Sequence, residues 1–600
     1  MKEVNLTKNK YFLYFFIFVI SVPLFVRLID LQIVKGADFR HQANEYFIRY
    51  RPIYAPRGVI FSADGKQLVY NKATFSIWLD STIIGDRKDE ILNFISTVIE
   101  IPIEVLQKVY NEKVSVGYNE FILVDGLNWE KGPYQISLKE ADLPGVRVES
   151  STTRYYPEGD LYSHIIGYIG AVSKEDITKR GLDPNDTVGK DGLEAYYDGV
   201  LRGTNGRRVA EVTSVGKIIN SYIPLEAIPG KNLYLTIDDK IQRKVWEVLN
   251  DAVKEGGASG GAAIIEDITN GGILAMVSVP AYDNNIFTGG LNYSKILEVM
   301  NDRNAPLLNR AISSAYPPGS TFKTVTGSVA LESGSVNPYE KVYTGGVFDY
   351  RGVRFQDFGQ RNWGYLNMVE AYKVSSNIYF MKCALSIDNK TGDGIGEIVK
   401  FAQLYGLGNK TGIDLPGETS GLLASPQTKM AIHNEMWYPG DLLNASIGQG
   451  DNLVSPIQMV VLASSIANNG VVLRPHVVGG IESNGFIRTV ETEVVRSGFI
   501  SQKNIEIIKK GMRATVSEPQ GVARSINSPF VEVAAKTGSA EFGIKREGGY
   551  SGSHAWVMGF APYDNPKIAF VFFLEGGGTS WNAAKHMRTI LDWYFTEYRK

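Results

Sequence analysis

The reading of this chain turns on Tyr316-Pro317-Pro318-Gly319-Ser320-Thr321-Phe322-Lys323. Two prolines and a glycine impose a turn, and residues 321–333 then carry Phe322, Val325, Val329 and Leu331 before Gly334. That is the pattern of a helix with a forced start and a glycine stop. Residues three apart on a helix share a face, so the spacing predicts that the Ser320 hydroxyl and the Lys323 amine meet. The positive end of the helix at Ser320 favours an alkoxide and a neutral lysine beside it. A hydroxyl next to an uncharged amine is a nucleophile with its base.

Two further strings follow in order, Ser375-Ser376-Asn377 and Lys536-Thr537-Gly538-Ser539. They add a second hydroxyl with an amide, and a cation on a strand beside small hydroxyl residues. S-x-x-K, then S-x-N, then K-T-G is the signature of a serine acyl-transfer site. The catalytic candidates are therefore Ser320, Lys323, Ser375, Asn377 and Lys536, and the substrate-binding candidates are Thr537, Gly538 and Ser539.

Taken singly, each string reads as a helix start with a solvated lysine, a helix cap, or a strand end. The chain supplies decoys of all three: S-x-x-K from Ser214 to Lys217, S-x-N from Ser525 to Asn527, and Lys-Thr-Gly at Lys390 and Lys410. Local pattern separates them. No helical pattern surrounds Ser214, and the Lys390 and Lys410 copies read as turns, whereas Val531-Glu532-Val533-Ala534-Ala535 reads as a strand running into Lys536. Order, spacing and local structure agree only for the first set.

Composition bounds the rest. With 600 residues, 44% hydrophobic and 21% charged, the chain holds a few domains with sizeable cores. A formal net charge of -2 gives no electrostatic case for a nucleic-acid partner. The single cysteine, Cys383, excludes an intrachain disulfide framework and reads as a buried thiol. The histidines, His41, His164, His433, His476, His554 and His586, show no metal-ligand spacing, so neither a metal nor a cofactor is expected.

Residues 11–26 run without a charge, and apolar positions continue past Arg27 to Val34, as in a membrane helix whose Arg27 snorkels and which Pro23 kinks without ending. A cleaved signal peptide would need a small-x-small site after this run, and none stands there. Lys2, Lys8 and Lys10 predict a cytoplasmic N-terminus, a single pass and an extracytoplasmic remainder.

Moving outward, residues 31–230 alternate short β-like runs with turns and read as a mostly β pedestal, with an inserted subdomain at about 80–145. Pro229-Gly230 reads as a hinge. Beyond it, residues 232–237 read as a strand, 238–253 as a helix, 261–279 as a hairpin and 581–600 as an amphipathic helix. The expected organisation is a tail at 1–10, a membrane helix at 11–30, the pedestal at 31–230 and a catalytic domain at 231–600. In that last domain an antiparallel sheet carries helices on both faces, with a helical subdomain and the site between them (an α+β, α/β-like class).

With these residues in view the chain resembles the class B penicillin-binding proteins, membrane-anchored D,D-transpeptidases of bacterial cell-wall synthesis, over nearly its whole length. Beyond the three motifs, the similar pedestal segments are Ala55-Pro56-Arg57-Gly58, Arg154-Tyr155-Tyr156-Pro157, His164 with Gly167, and Gly192-Leu193-Glu194 through Asp198. In the C-terminal domain they include Leu235-Thr236-Ile237-Asp238 with Gln242, Gly412 through Glu418, and Ile447-Gly448-Gln449-Gly450 with Pro456 and Gln458. The chain departs from the family at Glu266-Asp267-Ile268, where Asp-Pro is common, at Phe61-Ser62-Ala63-Asp64, which lacks the usual arginine, and at Ser539, where threonine is commoner.

The resemblance implies the penicillin-binding-protein/β-lactamase-like transpeptidase fold. It also implies a reaction in which Lys323 deprotonates Ser320, which attacks between the last two D-alanines of a peptidoglycan stem peptide. The Ser320 and Ser539 amides would hold the oxyanion, Ser375 and Asn377 would relay a proton and orient the peptide, and Lys536, Thr537 and Ser539 would bind the terminal carboxylate. β-Lactams would trap Ser320. Tyr316-Pro317-Pro318-Gly319 and Leu31-Gln32-Ile33-Val34-Lys35-Gly36, with no appended C-terminal repeat domain, favour the elongation group, penicillin-binding protein 2, over the division group. The partner implied is a polytopic glycosyltransferase of the shape, elongation, division and sporulation family. A β-lactamase would place a deacylating carboxylate near Asp441-Leu442-Leu443-Asn444, and a β-lactam sensor would need more spans than one.

Overall fold

The computed structural model describes residues 6–39, 48–130, 132–212, 218–289, 292–546 and 549–598; Lys2 and the Ser214–Lys217 string lie outside them. The chain forms two compact units. The first comprises residues 1–56 and 202–230. In it the apolar helix Leu6–Ile29 continues into the π-helical turn Asp30–Val34, and the stretch Lys10–Val34 is long and apolar enough to cross a membrane. Arg27, in the last turn of the α-helix, pairs with Asp30 three residues on, at 2.8 Å. A three-stranded antiparallel sheet places Gly206–Val212 between Ile48–Ile53 and Ile218–Leu225.

The second unit comprises residues 57–201 and 231–600. Its strand Gln67–Asp80 pairs with both Glu120–Leu127 and Val146–Tyr155. The helices Lys88–Ile99 and Ile103–Ser115 close a small separate core of Ile91, Leu92, Ile95, Leu106 and Phe121 on these strands. The motif residues of this region, far apart in sequence, converge on one buried carboxylate. Arg57 Nε donates to Glu194 Oε2 at 2.5 Å and Arg154 Nε to Glu194 Oε1 at 2.6 Å, while Arg57 Nη1 reaches Asp198 at 2.8 Å. Glu194 has no exposed surface. Burial raises its pKa, but the charges of Arg154 and Arg57 more than reverse that and leave it lowered.

The largest antiparallel sheet of the C-terminal part has, among the described residues, five strands: β1 (Gly260–Asp267), β2 (Ile273–Val279), β3 (Ala534–Arg546), β4 (Gly549–Ala561) and β5 (Ile568–Glu575), in the order β2-β1-β5-β4-β3. Both faces are apolar because the alternating positions of each strand feed two different cores. Ala262, Ile264, Val571 and Phe573 join one core; Ala263, Ile265, Phe570, Phe572 and Leu574 join the other. The second core is covered by α1 (Asp239–Gly256), through Ile241, Val245 and Leu249, and by the C-terminal helix. The first is covered by the helices that carry the motifs. Helices thus pack on both faces, as expected.

The remaining labelled helices are α2 (Lys323–Glu332), α3 (Met368–Val374), α4 (Asn377–Thr391), α5 (Pro456–Ala467), α6 (Gln502–Ser517) and α7 (Ser580–Trp593). Three local expectations are corrected. Lys390 is not in a turn but in the last turn of α4, where its amine donates to the Gly334 carbonyl at 2.9 Å. The strand expected from 531 begins at Ala534. The helix expected from 321 is a 3-10 turn over Gly319–Phe322 followed by α2, so Ser320 lies on the tighter turn.

Candidate active site

Ser320 sits half-buried on the 3-10 turn, and that turn is held by backbone on two sides. Gly319 N donates to the Gly448 carbonyl at 3.0 Å, and the Trp556 indole donates to the Pro317 carbonyl at 3.0 Å. Gly538, opposite Trp556 in the pairing of β3 with β4, lies so close that a Cβ there would stand 2.6 Å from the Pro318 carbonyl oxygen. On the other flank Gly448 has φ +75°, and a Cβ would come within 2.2 Å of the Gly319 oxygen. The Ser320 turn is therefore wedged between an edge strand and the Gly448 loop, neither of which can carry a side chain at the contact. Gly448→Ala is expected to push the turn out of place and lower the rate of any acylation of Ser320 by about 100-fold, measured as a second-order rate constant.

Lys323 opens α2 with no exposed surface. Its amine donates to the Ser375 carbonyl and to Asn377 Oδ1, both at 2.7 Å, and lies 3.3 Å from Ser375 Oγ. Asn377 presents its oxygen to the lysine because its Nδ2 donates to the Gln356 carbonyl at 3.0 Å. Burial lowers the Lys323 pKa to about 7, against the opposing charge of Asp357. A neutral amine has two hydrogens and one lone pair; two carbonyl-type acceptors take the hydrogens and leave the lone pair for a hydroxyl proton.

Ser375 follows α3 in the left-handed region, at φ +56°. This conformation turns its hydroxyl to Lys536, whose amine donates to Ser375 Oγ and to the Thr537 carbonyl, both at 2.9 Å. Lys536 is fully buried on β3, and burial together with Lys323 holds its pKa well below the ordinary lysine value. Three segments predicted from sequence thus meet on one hydroxyl, Ser375 Oγ. Of the two hydroxyls expected to bind substrate, Thr537 is buried at 3% exposure and Ser539 is exposed, accepting from Ser580 N at the start of α7 at 3.2 Å.

Asp357 belongs to the same cluster and was not anticipated. It is 1% exposed and accepts from the Ser376 hydroxyl and from the backbone N–H groups of Asn377 and Ile378. Its position, 18 residues before Ser375 at the end of a short hairpin (Val347–Tyr350 with Val353–Gln356), matches no spacing rule. Asp441, the carboxylate that a hydrolytic cycle would have used, is engaged by Lys429 Nζ and Tyr438 N, each at 2.7 Å. Cys383 is buried, which pushes its thiol pKa up and leaves it unreactive.

Residues 261–592 match the penicillin binding protein transpeptidase domain, and residues 52–235 match the penicillin-binding protein dimerisation domain. Peptidoglycan D,D-transpeptidase MrdA of Escherichia coli K12 is 29% identical over 96% of this chain and 92% of its own length. The complex between PBP2 and MreC from Helicobacter pylori superposes with a TM-score of 0.79 at 25% identity, over 92% of this chain and 100% of that one. A structure of a peptidoglycan synthase complex described as coordinating polymerization and crosslinking gives 0.70 at 27% identity, over 98% of this chain and 99% of that one.

Proposed function

The chain belongs to the class B penicillin-binding proteins, in the penicillin-binding protein 2 group, and from that premise we propose that it is the elongation-type peptidoglycan D,D-transpeptidase whose nucleophile is Ser320 and whose base is Lys323. The observation that carries the residue assignment is the fully buried Lys323 amine, fixed by the Ser375 carbonyl and Asn377 Oδ1 with the Ser375 hydroxyl 3.3 Å away. In the first half-reaction Lys323 takes the Ser320 proton and Oγ bonds to the carbonyl carbon of the penultimate D-alanine. The tetrahedral intermediate, held by the Ser320 and Ser539 amides, then collapses by breaking the C–N bond. Ser375, bridging Lys323 and Lys536, passes a proton to the departing D-alanine amine. In the second half-reaction a neighbouring stem's amine displaces Ser320, which recovers its proton, and the cross-link is formed.

Lys536 with Thr537 and Ser539 supplies the positive, hydroxyl-lined end of the strand for the terminal carboxylate. A β-lactam, which mimics the terminal dipeptide, esterifies the same oxygen. That ester persists because Asp441 is taken up by Lys429 and Tyr438. The domain reading is an anchor at 11–30, a pedestal at 31–230 and a transpeptidase domain at 231–600, supported by the family matches at 52–235 and 261–592. The basic residues before the apolar helix support a cytoplasmic N-terminus with the catalytic domain outside. The related synthase complex supports a polytopic glycosyltransferase of the shape, elongation, division and sporulation family as partner.

The test is penicillin acylation as a function of pH. The neutral lysine is the active form, so below the Lys323 pKa of about 7 the rate is expected to fall as the amine protonates, roughly tenfold per pH unit. The adduct should map to Ser320 and survive for minutes or longer. Turnover in seconds, or an acidic limb absent from the profile, would refute the assignment.

A further inference from the structure

We propose that Asp357 is a positioning residue of the acyl-transfer site: its carboxylate caps the first turn of α4 and, with the Gln356 carbonyl, holds the Asn377 amide that orients the Lys323 amine. The proposal rests on the serine acyl-transfer reading of the site and adds a residue to it.

The geometry is a relay of fixed groups. Asp357 Oδ1 accepts from Asn377 N at 2.5 Å and from Ile378 N at 3.1 Å, two of the N–H groups left unpaired at a helix start. Ser376 Oγ lies 2.9 Å from Asp357 Oδ2 and itself accepts from Tyr379 N at 3.2 Å, so one hydroxyl and one carboxylate cap the same turn. The preceding residue holds the other side of Asn377, through the Gln356 carbonyl and Asn377 Nδ2. With backbone and side-chain amide both fixed, Asn377 Oδ1 is left facing Lys323 Nζ at 2.7 Å. Asp357 is anchored in turn by its own N–H on the Gly346 carbonyl at 3.1 Å. A carboxylate that is 1% exposed would be costly here unless those donors were its purpose.

Asp357 also acts through charge. The charged groups facing Lys323 are Lys536 from β3 and Asp357 from the hairpin end; Tyr372 from α3 donates its hydroxyl to the Lys323 carbonyl at 3.1 Å. Burial raises the Asp357 pKa, and the Ile378 amide, Lys323, the Ser376 hydroxyl and the Asn377 amide offset only part of that rise. A negative charge at this position favours the ammonium form of Lys323, so removing it must lower the Lys323 pKa.

The experiment measures penicillin acylation of the full-length chain in detergent from about pH 5 to about 9 for wild type, Asp357→Asn, Asp357→Ala and Ser320→Ala, with thermal unfolding alongside. Asn keeps an acceptor oxygen for the two backbone amides and loses the charge together with the second acceptor, to which Ser376 Oγ donates, so its acidic limb is expected to move to lower pH, by about half a unit. Ala removes the cap as well, and the plateau rate is expected to fall about 100-fold. Asp357→Asn with the limb at the wild-type position overturns the proposal, even if Asp357→Ala is slow or fails to fold, because general loosening would produce that too. Labelling of wild type but not Ser320→Ala keeps the parent reading standing whatever Asp357 does. Equal labelling of the two, or none of wild type, removes the parent reading and this proposal with it.

Discussion

Replacing Ser320 with alanine is expected to abolish covalent labelling by penicillin altogether and to lower transpeptidation by at least about 10^4-fold. The size of the effect follows from chemistry rather than stability: without the hydroxyl there is no oxygen to carry the acyl group. The fold should hardly notice. The Ser320 turn is supported by backbone, through Gly319 N on the Gly448 carbonyl and the Trp556 indole on Pro317, and Ser320 itself is only partly buried. A substitution of that kind typically changes stability by no more than about 0.5 kcal/mol. Lys323→Ala should cost nearly as much rate, and the double variant little more than either single one, since both groups serve one step. Fluorescent penicillin labelling with mass mapping of the adduct measures this, and an adduct of comparable yield on the alanine variant would show the nucleophile to be another residue.

The largest stability effect is expected at Glu194, far in sequence from the catalytic motifs. Glu194→Ala leaves the buried guanidiniums of Arg57 and Arg154 without their shared carboxylate, which typically costs about 3–5 kcal/mol, a large part of the roughly 5–15 kcal/mol that holds a domain folded. Thermal unfolding of the variant should show a melting temperature lowered by several degrees. Glu194→Gln should fall between, because it preserves shape and one acceptor while losing the charge. Because the folded-state pKa of Glu194 is lowered, its contribution is present above the unfolded carboxylate pKa and is lost as pH falls through the folded value. The gap between wild type and variant should therefore close in acid. An alanine variant melting within a degree of wild type would mean that water or a relaxed backbone compensates the two arginines.

Much of the site was legible because its chemistry is written at short spacings. Ser320 with Lys323, Ser375 with Asn377, and Lys536 with Thr537 are each local, and each pair keeps its meaning on a turn or strand. Asp357 was not legible, since its role depends on a hairpin bringing it to the start of α4, and nothing in Gln356-Asp357-Phe358 announces a cap for residue 377. The same limit hid the pairing of β1 with β5, which joins Ala262 to Phe573 across some three hundred residues. Hydrophobic alternation shows that a strand has two buried faces, not which strand lies beside it. Lys390 was misread for the opposite reason. The Lys-Thr-Gly string suggested a turn, whereas Ile378, Met381, Cys383, Ala384 and Ile387 continue a helical stripe that ends only at Gly392.

The burial of Lys536 beside a second amine has a thermodynamic corollary. Burial beside Lys323 disfavours the ammonium form of Lys536, and an incoming anion favours it, so a bound carboxylate raises the Lys536 pKa. Carboxylate ligands should therefore associate with net proton uptake, visible calorimetrically as a binding heat that changes with the ionisation enthalpy of the buffer. By linkage their affinity declines toward alkaline solution, so the cleft discriminates between charged and uncharged peptide ends most strongly on the acid side.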